Sequence, residues 1–348
     1  MRAGAPARLA WIEAFRGFAA SAVVLYHVAR HFDANYGMPL WRAAFQFGHA
    51  GVDLFFVISG FVILFVHWED IGRPERIRRY AGRRLTRILP IYWVALAMTI
   101  AWRAASAHVV SRSDLAWAIL PLPIFADPVL GVAWTLQYEL VFYVVFGLMI
   151  LNRSAGVAML AAWLALVLFE AVRGGEIALP DAYWQAYNLE FFAGMAAAYC
   201  LRTFRLERHK VVLAAGVILF LLAAVAEDFG RIDGYGRLAR VAYGVPAALI
   251  VFGGAEASRR GSGRVPAVLA AIGAASYSIY LFQFIAIGMS WQVWRAAGLD
   301  KTVPPPIGMA VFCVAAIGAG VAISRLVEYP LLTLCRGLGT VLRPVQQR

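Results

Sequence analysis

The sequence predicts an all-α, polytopic integral membrane protein. About ten transmembrane helices would surround a buried polar cavity, with the N- and C-termini cytoplasmic. Three observations predict this class. Of the 348 residues, 62% are hydrophobic and only 15% are charged, whereas soluble domains run near 45–50% and about 25%. Mean hydropathy is +0.70. Aromatic residues make up 14% of the chain, with 11 Trp, which suits anchoring at two membrane interfaces. This composition excludes a disordered chain, a collagen-like fibre and a disulfide-rich secreted module, and it argues against a water-soluble enzyme. The net charge of +12 does not point to nucleic acid, because Lys and Arg concentrate in short loops between apolar segments. Cys200, Cys313 and Cys335 show no paired spacing, so neither a disulfide framework nor a metal site is expected.

A spanning helix needs roughly 20 mostly apolar residues. Ten segments qualify, at about 10–30, 48–68, 86–105, 131–151, 155–172, 184–201, 211–226, 239–255, 267–290 and 306–327. The fifth and seventh are short, which leaves nine as the alternative count. With the N-terminus in the cytoplasm, inside segments hold 21 of the 32 Lys and Arg and outside segments 10, Arg16 being within the first span. That asymmetry supports the even count and cytoplasmic termini. The first apolar run carries Glu13 and Arg16, unlike a cleavable signal peptide. There is no internal repeat and no long polar linker, so residues 1–348 are read as one transmembrane domain.

The first span places two ionisable groups in the bilayer, Arg16 and His27. Such groups are functional candidates by default. They lie 11 residues apart, about 20° beyond three full turns, and so share a face some 16 Å apart along the axis. His27 reads either as an interfacial histidine bonded to a neighbour or as a general base. The second span, GHAGVDLFFVISGFVI, brings Asp53 to about the depth of His27. There it could orient the imidazole or stabilise the helix N-terminus. Ser59 and Gly60 are read as a close-packing pair.

The loop before the third span, GRPERIRRYAGRRLTRILPIYW, carries seven arginines. Arg83 and Arg84 precede Arg87 by four and three residues and share its face. Guanidinium groups bind phosphates in bidentate fashion, so the cluster fits a phosphorylated cytoplasmic ligand. Anionic lipid headgroups are the alternative, and the cluster taken alone favours them. In the fourth span, GVAWTLQYELVFYVVFG, Thr135, Glu139 and Tyr143 form one stripe at four-residue spacing. Glu139 must face a cavity or a partner rather than lipid. Trp134 reads as an interface anchor. Glu190 and Gln283 would line the interior, Glu170 is a further polar point, and Glu328 would pair with Arg325. His31, His49, His67, His108 and His209 lie at or near segment ends.

Taken together, these segments resemble the membrane acyltransferase-3 family, the O-acyltransferases of bacterial surface glycans. The carrying residues are Arg16-Gly17 with His27, GVDLFFVISGFVI at 51–63, RRLTRILPIYW at 83–93, WTLQYELVFY at 134–143, SYSIYLFQ at 276–283 and EYP at 328–330. The form of the fourth motif and the length resemble the exopolysaccharide-production branch. Thr135 stands where Ser is more usual, Gln283 stands where His often follows, and no C-terminal SGNH hydrolase-like domain is expected.

The resemblance implies that acyl-CoA, most often acetyl-CoA, binds from the cytoplasm as co-substrate, without a metal. Its acyl group would pass to a hydroxyl of an extracytoplasmic or lipid-linked glycan at a bacterial inner membrane. By the same resemblance His27 would be the base, Arg16 the motif arginine below it, Arg84 and Arg87 (with Arg83) the donor-facing arginines, and Asp53 and Glu139 the acidic members. Trp134, Thr135, Tyr143 and Gln283 would line the substrate path. Expected partners are membrane lipids and the glycan, with self-association open and nucleic acid not expected. Two other readings remain: a transporter or flippase of a lipid-linked saccharide, and another His-dependent membrane O-acyltransferase fold, whose buried Asn/His pair is not evident. The acyltransferase reading expects His27 and the arginine cluster to serve one cavity crossing the bilayer.

Overall fold

The computed structural model describes residues 9–105, 110–123, 128–174, 177, 179–262 and 265–341. Its regular elements among these residues are all helical. Helix α1 (Ala10–Tyr36) ends where Gly37 turns left-handed at φ 65°, a conformation glycine adopts without steric penalty. A short α2 (Pro39–Ala44) and a 3-10 turn at Gln46–Ala50 lead into α3 (Gly51–His67). Helix α4 (Ile77–Ala105) begins nine residues before the segment expected from hydropathy. Its first turns carry Arg78, Arg79, Arg83, Arg84 and Arg87, so most of the arginine cluster is helical rather than a loop. Arginine is a good helix former, and hydropathy alone is blind to that.

The small α5 (Arg112–Ala118) precedes α6 (Trp134–Leu151) and α7 (Arg153–Arg173). Only Asn152 separates α6 from α7, and its side chain caps α7 by accepting from the Ala155 N–H. Then follow α8 (Asn188–Thr203), α9 (His209–Asp228) and α10 (Arg237–Arg259). Helices α11 (Ala267–Ala274) and α12 (Ser276–Ala296) meet at a 74° bend. The chain finishes with α13 (Leu299–Thr302), α14 (Pro305–Ile323), a π-helical stretch at Ser324–Glu328 and α15 (Tyr329–Val341).

Eight segments among the described residues are long and apolar enough to cross a membrane, and the bent α11–α12 pair makes nine if taken as one span. The chain is a multi-pass membrane protein. The sixth expected span, at 184–201, is the 16-residue α8, which at 1.5 Å per residue rises only about 24 Å. The fifth and seventh segments, which looked short, are full helices of 21 and 20 residues. His108 lies outside the described residues, as do several termini-proximal basic residues of the topology count.

Helices α1, α3 and α10 form the buried centre, while α7, α9 and α14 lie at the rim with most of their surface exposed. Two glycine contacts set the centre. A Cβ on Gly60 of α3 would fall on the Phe191 carbonyl, and one on Gly194 of α8 would fall on the Val57 carbonyl. Lacking side chains, these positions let two backbones touch. Gly60 therefore does pack as expected, whereas its neighbour Ser59 faces a cavity. Likewise Gly17 of α1 meets Leu269 and Gly273 of α11, which draws the α11–α12 bend against the Arg16 end of α1.

Candidate active site

Two cavities lie one above the other along α1. The first holds about 110 Å³ and is walled by Arg16, Arg84, Arg87, Glu139, Thr135 and Tyr143. Three guanidinium groups thus face a space bordered by one carboxylate. Charges interact more strongly there than in water, and the net positive field suits a phosphorylated ligand.

The two α4 arginines of this cavity, Arg84 and Arg87, are each held from behind. Arg84 donates to His67 Nε2 at 3.2 Å, and His67 Nδ1 contacts Asp70 Oδ2 at 2.8 Å. A guanidinium only donates, so Nε2 must accept and Nδ1–H must donate to Asp70. Arg87 donates to Glu328 Oε1 at 2.9 Å, and the other carboxylate oxygen accepts from Ser278 at 2.7 Å and Ser324 at 2.9 Å. Glu328 therefore pairs across the protein with Arg87 and not with Arg325. The π-helical stretch that ends at Glu328 changes the local register, which a helical-spacing argument cannot foresee. Glu139 accepts from Ser59 at 3.0 Å and from Tyr143 at 2.5 Å, and the Tyr143 ring lies 5.8 Å from the Arg84 guanidinium. The Thr135–Glu139–Tyr143 stripe meets the two α4 arginines in this one cavity.

The second cavity holds about 280 Å³ and contains His27 and His49 among Tyr26, Trp134, Tyr187 and Tyr235. His27 sits edge-on to Phe284 at 4.5 Å and Tyr26 at 4.8 Å between ring centroids. Among the described residues it makes ring contacts and no hydrogen bond. His49 is different: its Nε2 contacts both oxygens of Glu227, at 2.9 and 3.1 Å, and Tyr243 donates to that carboxylate at 2.6 Å. Trp134 is a wall of this cavity and not simply an interface anchor.

The cavities share two wall residues, Val52 and Tyr280. The single continuous cavity expected from the sequence is thus two chambers meeting at a partition. The Tyr280 hydroxyl points to the Val132 carbonyl at 3.4 Å.

Three expected site residues lie elsewhere. Asp53 is fully buried but walls neither cavity. It pairs with Arg240, whose guanidinium also reaches the Gly234 carbonyl and lies 3.8 Å from Glu190 and 4.2 Å from the Tyr187 ring centroid. Asp53 therefore turns toward α8 and α10 instead of orienting His27. Arg240 itself, counted with an outer segment from sequence, is 2% exposed. Gln283 is buried, and its amide bonds the Tyr280 carbonyl of its own helix at 2.9 Å. Arg83 is on the exposed side of α4. Glu170 pairs with Arg237 at 3.0 Å.

The sequence does not single out Glu227 and Asp70, and it marks His49 and His67 only as segment-end histidines and Ser59 only as a packing residue. Only His67–Asp70 carried a local signal, a three-residue spacing. His49 and Glu227 are 178 positions apart.

A family profile described as "Acyltransferase domain" matches residues 9–325. The Exopolysaccharide production protein ExoZ of Rhizobium meliloti (strain 1021) is 31% identical over 300 residues, which cover 83% of this chain and 90% of that protein. No solved structure matches the chain.

Proposed function

Since the chain belongs to the acyltransferase-3 family, we propose that it moves a short acyl group, acetyl first among them, from cytoplasmic acyl-CoA to a hydroxyl of an extracytoplasmic or lipid-linked glycan. The acceptor class follows the exopolysaccharide role in the name of the rhizobial relative. The observation that carries the reading is the stacking of a three-arginine cavity against a histidine chamber. In this reading the arginines bind the phosphates of the donor from the cytoplasmic side of an inner membrane. The whole chain acts as one acyltransferase domain, with both termini cytoplasmic.

The chemistry is the attack of a sugar oxygen on a thioester carbon. The C–O bond forms, the C–S bond breaks, and the coenzyme leaves as a thiolate. His27 takes the hydroxyl proton as attack proceeds and passes it to the leaving sulfur. Base catalysis of this kind contributes about 10²–10⁴-fold. A two-step route through an acyl-imidazole on His27 has the same overall balance. Incubation with radiolabelled acetyl-CoA and no acceptor separates them: label trapped on the protein marks the two-step route.

The decisive test is His27→Ala in proteoliposomes given labelled acetyl-CoA and the surface glycan of the host cell. We expect loss of glycan acylation at normal protein level. Retained acylation removes His27 from the mechanism. A reporter fused to the C-terminus should be active only on the cytoplasmic side, and periplasmic activity would overturn the orientation.

A further inference from the structure

With His27 as the base, the acceptor hydroxyl enters the histidine chamber, and a second imidazole, His49, is built into the same chamber. His49 is 6% exposed and comes from the 3-10 turn that precedes α3. Glu227 comes from the end of α9, Tyr243 from α10 and Tyr235 from the connection between those helices. The Tyr235 ring stacks on the imidazole at 4.7 Å and 25°. The Tyr235 hydroxyl is hydrogen-bonded to that of Tyr26, so α1 also joins the group. Gly234 lies so close over Glu227 that a Cβ there would overlap its carboxylate. Four parts of the chain therefore converge to fix one side chain, and nothing in the base mechanism uses it.

The chemistry of the pair is directional. A carboxylate oxygen accepts, so His49 Nε2–H donates to Glu227 and Nδ1 is left as the acceptor of the ring. The carboxylate fixes ring and tautomer together. Around it the chamber is chiefly aromatic, with few polar groups, as in small-molecule sites generally. Aromatic faces are electron-rich and receive the C–H groups on the apolar face of a sugar ring, while its hydroxyls need separate polar partners. A volume of about 280 Å³ is at the lower end of ligand pockets, near 300 Å³, and fits one ring better than an oligosaccharide.

We propose that this chamber is a subsite for a single pyranose ring of the acceptor, and that His49, oriented by Glu227, is a positioning residue that hydrogen-bonds a sugar hydroxyl beside the one acylated. The ring stacks against Trp134, Tyr187 or Tyr235, and His27 is left to face the reacting hydroxyl. This inference rests on the acceptor being a glycan.

The test uses the full-length protein in nanodiscs with methyl β-glucopyranoside and methyl β-galactopyranoside as probes. Saturation-transfer NMR reads glycoside binding, calorimetry reads acetyl-CoA binding, and labelled acetyl-CoA reads transfer to the glycoside. We expect at least one glycoside to bind, His49→Phe to weaken it about tenfold, the loss of one hydrogen bond, and His49→Gln to restore most of it. Acetyl-CoA binding should be unchanged in both variants. Three results overturn the subsite: no glycoside binding by the unaltered protein, equal binding by His49→Phe, or loss of acetyl-CoA binding by both His49→Phe and Glu227→Gln, which would make the pair purely structural. His49-dependent glycoside binding without any acyl transfer would support the subsite and refute the proposed reaction. Transfer that ignores His49 would do the reverse.

Discussion

Replacing Arg240 by Met tests the buried cluster that holds Asp53, the carboxylate that the family resemblance had placed in the chemistry. Arg240 is the cation for two carboxylates, Asp53 and Glu190, and both of these are 0% exposed. Methionine keeps roughly the volume of the side chain and removes the charge. Both acids are then buried without a counter-ion. Breaking a buried pair from one side costs about 3–5 kcal/mol. Unfolding entropy near 2 cal/mol/K per residue over 348 residues gives about 0.7 kcal/mol per degree, so the melting temperature should fall by about 5 °C. Asp53→Asn should fall less, by about 1–4 °C, because Glu190 still faces the arginine and the loss approaches that of one unsatisfied group, about 1–3 kcal/mol. Neither residue walls a cavity, so the folded fraction of each variant should keep its turnover. The assay is tryptophan-fluorescence melting of detergent-solubilised protein, with acyl transfer measured on the same samples at a temperature where both are folded. An unchanged melting temperature for Arg240→Met would refute the electrostatic argument. Lost turnover with full stability in Asp53→Asn would return Asp53 to the catalytic machinery.

Four further outcomes follow from the same geometry. Arg84→Ala should weaken acetyl-CoA binding by about 10- to 100-fold, the range for a hydrogen bond to a charged group. His67→Phe, which removes the acceptor behind Arg84, should raise the KM for acetyl-CoA with little change in kcat, and a shift in acceptor KM instead would show that His67 acts elsewhere. Gly194→Val should sharply lower the amount of protein in the membrane, since any Cβ there meets the Val57 backbone. Gly82→Ala, with no neighbour within 4 Å, is the control, and equal accumulation of the two would discount the α3–α8 contact. Val52→Ala thins the partition between the chambers and should extend donor use from acetyl-CoA toward butyryl-CoA, as read by competition between labelled donors. An unaltered preference would mean that acyl length is selected elsewhere.

The parts of the site that the sequence disclosed are those governed by helical periodicity. Arg16 and His27, 11 residues apart, do wall successive cavities along α1. Thr135, Glu139 and Tyr143 stay on one stripe, and Arg84 and Arg87 share a face. Within one helix the angle between side chains is set by residue spacing alone. What stayed hidden depends on which helices become neighbours. Asp53 sits at a depth that suited His27, yet α10 brings Arg240 closer, and a buried carboxylate settles on the available cation. His67 and His49 looked alike as segment-end histidines; Asp70 lies only three residues beyond His67, whereas a tertiary contact alone gives His49 its Glu227. The α8 span was overestimated because its preceding segment is rich in aromatic residues, although residues 181–187 form a short 3-10 stretch and turns rather than α-helix.

The partition of Val52 and Tyr280 also bears on how a hollow protein coexists with an energised bilayer. In the proposed orientation, the arginine cavity lies toward the cytoplasm and the histidine chamber toward the opposite side. An isopropyl group and a phenol then carry much of the burden of stopping protons from running down their gradient. Widening that seal to admit bulkier cargo would trade chemical range against conductance.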